Sequence, residues 1–292
     1  MYRCDACGNA FTHPDIAPGA YELLPDAAND DLSSLESRLL HWMINRRIDK
    51  LQAFIGAGAV RLLDIGGGAC TFANAAAKRG YDVTVIEPNE KNRAFADAKS
   101  GVRFVADQFP GNLLKSNTLA PSSFDVATMW HSLEHTPQPA EVLAALRTVL
   151  KPRGILFVSV PNIDSLQART GGNFWTYLDV PHHLCHFTPR GLDTLLRKSG
   201  FAVRHSFRFS AEYDLFGWYQ TLLNVVSRAH NYFYNRRKKL RLDQSYLRFP
   251  TWTKLVTAAG PILLPVATAA AFIAYAANSP SCVEMIAIKE LE

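Results

Sequence analysis

The sequence predicts an α/β fold: a doubly wound, mostly parallel seven-stranded sheet with an antiparallel last strand. Three observations carry that prediction. From residue 60 onward, short apolar runs alternate with windows of helical spacing, the rhythm of β-α-β units. A glycine turn, Gly66-Gly67-Gly68, separates the first run from the first helical window. An acid, Glu87, then closes the second run. With 292 residues, 48% of them apolar and 20% charged, the chain can bury a sizeable core.

Residues 1–57 read as a leader followed by a helix over 32–54. Leu35, Leu39, Leu40, Met43, Ile44, Ile48 and Leu51 share one helical face, and Gly56-Ala57-Gly58 stops it. The core domain follows over 58–209, with strands expected at 60–65, 83–86, 102–105, 124–130 and 155–160. Helices are expected at 72–79 and 140–150, where Lys151-Pro152-Arg153-Gly154 ends the helix and turns the chain into the fifth strand. Another helix over 189–199 meets Gly200, and a sixth strand occupies 201–209. Segment 281–292 supplies the last core strand at 282–289. Interval 210–280 breaks this rhythm and reads as a helical, hydrophobic and basic insertion.

The formal net charge is +5, from 31 Lys and Arg against 26 Asp and Glu. Much of the excess sits in Arg236-Arg237-Lys238-Lys239 and Arg241, which argues for a local anionic partner and against a nucleic-acid-binding chain. Five cysteines are an odd number, and the polar N-terminus lacks the apolar region of a secretory signal. Free thiols in a reducing cytoplasm are the expectation. Cys4-x-x-Cys7-Gly8 matches one knuckle of a zinc ribbon, but a ribbon needs a second pair and His13 does not complete four ligands. The sequence therefore reads as binding no metal there, or only weakly.

Glycines at 66–68 let a ligand approach the backbone, and the helix that follows offers free N–H donors. Glu87 stands where a carboxylate can accept both hydroxyls of a ribose. NAD and S-adenosylmethionine are both served by such a site. Thr71 occupies the place of the third glycine of a dinucleotide fingerprint, which disfavours NAD. Asp64 lies two residues before the first glycine, and Asp107-Gln108 follows the third strand, where an adenine edge can be read.

These residues, with Phe124-Asp125-Val126, His131-Ser132-Leu133-Glu134-His135 and Leu150–Gly154, resemble the class I S-adenosylmethionine-dependent methyltransferases of Rossmann-like fold. The likeness is to the small-molecule, ubiquinone-methyltransferase-like type, and spans about residues 58–209 and 282–289. It implies S-adenosyl-L-methionine as cofactor, with Gly66 and Gly68 under the methionine portion and Gly67 and Asp64 in the same turn. It further implies Glu87 on the ribose, Asp107 with Gln108 on the adenine, and Trp130 with His131 lining the pocket. Ala69-Cys70 replaces the last third of the family's glycine loop.

Methyl transfer chiefly needs a positioned nucleophile shielded from water, and some acceptors also need a base. His135 is one candidate base, although Glu134 and His135 also suit simple loop hydrogen bonds. The H-x-x-E-H spacing of 131–135 matches an inverted zinc-protease motif, but Pro137 and Pro139 are poor ground for the helix that chemistry requires. A second segment, Phe174–Thr188, carries Trp175 and Tyr177 before His182 and His183, and reads as a lid with two further candidate bases. Four metal ligands within His182–His186 would not surround one tetrahedral ion.

The uncharged run 255–277 has the length of a bilayer crossing but contains Pro261 and Pro265. A single crossing would also strand the last strand away from its sheet. With aromatics from Tyr213 onward and the basic cluster, 213–277 suits peripheral contact with an anionic membrane. The expected protein is cytoplasmic, at the inner membrane face, and methylates an O, N or C nucleophile of a small or lipid-linked acceptor. Two rivals stand beside it: an NAD-dependent oxidoreductase, and a non-catalytic membrane-associated protein retaining the fold.

Overall fold

The computed structural model describes residues 1–12, 34–55, 60–111, 113–237 and 244–291. The expected helix stop at Gly56 and Gly58 lies outside them, as do His13, Lys238, Lys239 and Arg241.

In chain order, β1 (Tyr2–Arg3) and β2 (Ala10–Phe11) precede α1 (Ser34–Gln52). Then come β3 (Arg61–Ile65), α2 (Thr71–Lys78), β4 (Asp82–Ile86), β5 (Arg103–Val105), β6 (Phe124–Trp130), α3 (Pro139–Val149) and β7 (Leu150–Pro161). Next are α4 (Leu166–Gly171), β8 (Cys185–His186), α5 (Pro189–Lys198) and β9 (Phe201–Phe207). The chain ends with α6 (Gly217–Ser227), α7 (Tyr232–Arg237), α8 (Pro250–Ala258), α9 (Leu264–Ala276) and β10 (Cys282–Lys289).

Seven strands form one sheet in the order β5-β4-β3-β6-β7-β10-β9. β3 pairs in parallel with β4 and β6, and β6 with β7, so the centre is a parallel sheet. Its strands read as nearly continuous apolar runs because both faces are covered. Leu62, Leu63, Val83, Val85, Val126 and Ala127 are all buried. The antiparallel sense of β10 shows at its ends. Asn162 N–H donates to Ser281 O at 2.9 Å, and Glu290 N–H to Gly200 O at 3.0 Å.

One strand departs from expectation. β7 starts at Leu150, which pairs with Phe124, and the ladder resumes at Val126↔Ile155. Residues 151–154 therefore bulge from the edge of that pairing, consistent with Pro152, which has no N–H to give. The Lys151 ammonium meets the Asp125 carboxylate at 2.7 Å across the bulge.

The contacts divide the chain into two compact units. One contains α1, the strands and helices up to Ser159, Asp193–Ser206 and the chain from Glu284 onward. α1 docks in this unit through buried Ile44, Ile48 and Leu51, a spacing of four and then three residues. Lys50 Nζ reaches Glu284 Oε2 of β10 at 2.5 Å.

The other unit contains the N-terminal hairpin, Val160–Leu192 and Phe207–Val283. Its small sheet has the order β1-β2-β8. Around α6 runs a buried polar network. Trp175 Nε1–H donates to Gln167 Oε1 at 2.8 Å, the Thr176 hydroxyl to Asn231 Oδ1 at 2.8 Å, and Asn224 Nδ2–H to the same oxygen at 2.9 Å. The uncharged run divides into α8 and a helical stretch over Gly260–Ala276, bent by 63°. Among the described residues no single helix is long and apolar enough to cross a membrane. α9 packs Ala267, Ala271 and Ala274 against Trp218.

Candidate functional site

The glycine turn leaves the carboxyl end of β3, the side on which open α/β sheets bind ligands. Gly66 has φ +73° and Gly68 φ +50°, left-handed conformations that glycine adopts without strain. A Cβ on Gly66 would lie 2.6 Å from Ser132 Cβ, so the turn and the loop after β6 approach as closely as backbone allows. A Cβ on Gly67 would meet Val85 Cγ1 at 2.5 Å and Asp64 Oδ2 at 3.3 Å. Cys70 is buried and takes φ +53°, so a cysteine bears the left-handed bend where the family's loop has its last glycine. Such a bend costs a residue with a Cβ about 1–2 kcal/mol.

Two acids surround this turn. Asp64 is buried, and the Thr128 hydroxyl donates to its Oδ1 at 2.6 Å across the β3–β6 pairing. Burial pushes its carboxyl up to about 6, against the opposing pull of Thr128 and the Arg47 guanidinium. Glu87, at the end of β4, is also buried and accepts N–H bonds from Gly68 at 3.0 Å and Asn89 at 2.8 Å. These bonds fix the carboxylate beside the turn.

The other expected cofactor residues follow along the same strand ends. Asp107 is half-buried, and its Oδ1 accepts the N–H of exposed Gln108 at 2.7 Å. The Trp130 ring packs against Phe72 at 5.3 Å and Phe157 at 4.3 Å, with the Arg47 guanidinium 4.8 Å above it. His131 has φ +51° and donates its N–H to Ser159 O at 2.9 Å, while its Nδ1 lies 3.2 Å from Glu134 Oε1. His135 is half-buried in the next turn, its N–H on Ser132 O.

Sequence reasoning missed Ser132, Thr128 and Arg47. Ser132 Oγ is buried with no hydrogen-bond partner, as are Trp130 Nε1 and Ser159 Oγ. Three orphaned donors at the ends of β6 and β7, next to a turn that excludes Cβ atoms, fit a polar ligand, since a buried unpaired group costs about 1–3 kcal/mol. S-adenosylmethionine offers a carboxylate, hydroxyls and ring nitrogens to such groups. Arg47 carried one faint signal, a cation one residue before Ile48 on the inner face of α1.

His182 and His183 lie in the other unit. His182 Nδ1 is 3.2 Å from Asp179 Oδ1, and this partner raises the imidazole above its ordinary range despite partial burial. His183 is buried, with Nδ1 2.9 Å from Tyr177 O and its ring 6.3 Å from that of His186. Tyr177 is deeply buried, which drives its hydroxyl well above the usual range, and it donates to Tyr213 O at 3.3 Å.

A parallel sheet with a glycine turn after its central strand and an acid after the neighbouring strand is the frame of the class I, S-adenosylmethionine-dependent methyltransferases, which NAD-binding folds share. Residues 29–206 match the methyltransferase domain family, and the chain belongs to it. It is 31% identical over 153 residues to a "Ubiquinone biosynthesis O-methyltransferase" of Ralstonia nicotianae, over 51% of this chain and 63% of that protein. It is 32% identical over 130 residues to the Stutzerimonas stutzeri protein of the same name, over 44% of this chain and 55% of that one. The matches thus span less than two thirds of those curated relatives.

Among solved structures, an Archaeoglobus fulgidus S-adenosylmethionine-dependent methyltransferase superposes with a TM-score of 0.52 at 19% identity, covering 85% of this chain and 94% of that one. The [4+2]-cyclase SpnF gives 0.52 at 19%, covering 92% and 87%. At such identity these two speak for the fold alone, and a cyclase among them separates fold from activity.

Proposed function

We propose that the chain transfers the methyl group of S-adenosylmethionine to an oxygen, nitrogen or carbon nucleophile of a small or lipid-linked acceptor at a membrane surface. The observation that carries the cofactor part is the Ser132 hydroxyl, buried and unpaired against a glycine turn that leaves no room for a Cβ. The curated relatives' name favours an oxygen acceptor.

In this reading Gly66, Gly67 and Gly68 admit the methionine portion, while Asp64 and Thr128 brace the turn from below. Glu87 accepts the ribose hydroxyls, Asp107 and Gln108 read the adenine, and Trp130 and His131 close the wall. When bound, the cofactor supplies a methyl group on a sulfonium, which needs no further activation. The protein's tasks are alignment and exclusion of water. His135, His182 and His183 are the candidate bases for an acceptor hydroxyl. Asp179 raises the His182 imidazole above its ordinary range, which favours its protonated form.

Membrane contact is supported by the outer surface of 213–277. Ile262, Phe272, Ile273 and Leu255 are 75%, 66%, 61% and 60% exposed, and all belong to the uncharged run. Exposed Trp252 and Tyr275 and the cations Arg236, Arg237, Arg248 and Lys254 suit the headgroup layer of an anionic bilayer. A cytoplasmic protein seated on the inner membrane face is the corresponding location.

Calorimetry with S-adenosylhomocysteine, with NAD as the control ligand and Glu87→Ala as the variant, tests the cofactor. Binding of the thioether alone, weakened at least tenfold by the substitution, is expected. Binding of NAD instead would favour an oxidoreductase, and binding of neither would favour a non-catalytic protein. Sedimentation with anionic liposomes should be lost on Arg236–Lys239→Ala; unchanged sedimentation refutes the membrane reading.

A further inference from the structure

The proposed reaction makes no use of a cavity in the unit that holds the N-terminal hairpin. Its volume is about 500 Å³, a size typical of small-molecule sites, and all of its lining belongs to that unit. Its walls are the β1–β2 turn, the chain leaving β7, α4, the start of α5 and the end of α9. Hydrogen bonds pin these walls to one another. Asn162 Nδ2–H donates to Pro280 O at 2.8 Å, and Leu166 N–H to Ser279 Oγ at 2.7 Å. The Thr188 hydroxyl donates to Cys7 O at 2.8 Å, and Thr188 N–H to Asn9 Oδ1 at 2.9 Å. A Cβ at Gly191 would fall 1.8 Å from that same Asn9 oxygen, so the start of α5 lies as close to the hairpin as backbone allows. A cavity preformed in this way asks little ordering of the protein when a ligand enters.

The charges on these walls are of both signs. Arg169 of α4 and Arg190 of α5 line the cavity and are exposed. α5 adds to them: Thr188 accepts the Gly191 N–H at 2.9 Å and caps the first turn, and the amino end of a helix carries partial positive charge. Two carboxylates, Asp5 and Asp164, share the lining. The Arg3 guanidinium answers Asp164, whereas among the described residues neither Asp5 nor Arg169 has an ion-pair partner. The cavity thus offers guanidinium groups to an anion and one carboxylate to a cation. Its last wall leads to apolar surface. α9 exposes Phe272, Ile273 and Tyr275, and Tyr275 meets the Phe209 ring at 5.9 Å. The residues that follow α9, Ala277, Asn278 and Ser279, line the cavity.

We propose that this cavity takes the phosphoethanolamine head of a membrane glycerophospholipid, with its phosphate on Arg169 and Arg190 and its ammonium on Asp5. The acyl chains then follow the exposed apolar residues of α9 into the bilayer. The inference rests on the membrane reading of 213–277 and adds the lipid chemistry that the surface selects. Guanidinium forks suit phosphate oxygens, and a primary ammonium has N–H donors for a carboxylate. A choline head carries the same charges without an N–H, so it satisfies the arginines and not Asp5. A purely anionic head brings no cation to Asp5. The apolar strip adjoining the cavity favours a lipid over a free zwitterion.

The test uses the full chain with two soluble heads and two sets of vesicles. Calorimetry should show binding of glycerophosphoethanolamine, at least tenfold weaker binding of glycerophosphocholine, and at least tenfold losses on Arg169→Gln and on Asp5→Asn. Vesicles of constant phosphatidylglycerol content should sediment severalfold more protein when phosphatidylethanolamine replaces phosphatidylcholine, and Asp5→Asn should erase that gain. S-adenosylhomocysteine binding and melting of both variants should match the parent and so show that they fold. If the parent binds neither soluble head, or sediments equally with both vesicle sets, the proposal is overturned while the membrane reading stands. A gain that survives Asp5→Asn overturns it too. Binding of the soluble head by a parent that ignores both vesicle sets overturns the lipid occupant and the membrane reading together.

Discussion

Gly66→Ala tests the architecture of the glycine turn most directly. The left-handed backbone at φ +73° costs an added Cβ about 1–2 kcal/mol. The 2.6 Å approach to Ser132 Cβ adds an overfilled contact, typically about 1–3 kcal/mol. The expected loss is their sum, about 2–5 kcal/mol. Gly80 supplies the control, because it has φ +90° with nothing within 4 Å of an added Cβ. Gly80→Ala therefore carries only the conformational part. At roughly 2–4 °C per kcal/mol, thermal melting should fall by about 2–8 °C for Gly80→Ala and about 4–20 °C for Gly66→Ala. Since the colliding atom is a side-chain carbon, adding Ser132→Gly should restore the steric part alone. The double variant should then be more stable than the sum of the single losses by about 1–3 kcal/mol. All three positions belong to one unit, so one transition reports on them. Equal drops for the two alanine variants, or strict additivity with Ser132→Gly, would refute the close-approach argument.

Asp64 predicts a pH dependence. Its carboxyl, raised from 3.8 to about 6, holds its proton more tightly in the native state than in the unfolded chain. The stability this contributes is full below pH 3.8 and lost as pH rises through about 6, a change of roughly 3 kcal/mol. Asp64→Asn has no proton to lose, so its melting temperature relative to the parent should climb between pH 4 and pH 7; a constant difference counts against the buried acid. Asp179→Asn should lower the midpoint of the His182 imidazole titration seen by NMR, because Asp179 is what raises it. An unmoved midpoint would sever that link. Lys50→Ala leaves the buried Glu284 without its ammonium partner and should cost roughly 3 kcal/mol in urea unfolding. Lys50→Met with Glu284→Leu should recover most of it, and a double variant as unstable as Lys50→Ala would show that the pair is not the cause.

The parallel core was legible because burial on both faces leaves only a narrow choice of residues. β6 and β10 lie at the predicted 124–130 and 282–289. β7 begins earlier than predicted because Leu150 already pairs with Phe124 before Pro152 and Gly154 break the ladder, which resumes at Ile155. The turn residues and Glu87 were equally readable, since backbone that must bend left-handed and a carboxylate at a strand end leave a mark at short range. Thr128, Ser132 and Arg47 left almost none. Thr128 reaches Asp64 only through the β3–β6 register, sixty-four positions apart. Ser132 matters because of what Gly66 lacks, and Arg47 because α1 folds back across Trp130.

Interval 210–280 was opaque for a different reason: hydropathy counts apolar mass but not its direction. The uncharged run has membrane-crossing length but is interrupted by Pro261 and Pro265, and the chain bends at Gly260, where a Cβ would stand 2.5 Å from the Tyr219 hydroxyl. Beyond the bend, α9 faces α6 with its smallest side chains, because Ala267, Ala271 and Ala274 let the two helices approach closely. Its large residues, Phe272 and Ile273 among them, consequently point outward. A soluble helix normally shows the opposite arrangement, large apolar residues inward and polar ones outward. The inversion costs little only if the outer surface is covered, and cations on the flanking α7 and α8 are what a lipid headgroup layer would need. Polar substitutions at Phe272 and Ile273 should therefore leave the melting temperature nearly unchanged while weakening liposome binding, whereas bulky substitutions at Ala271 should lower melting directly.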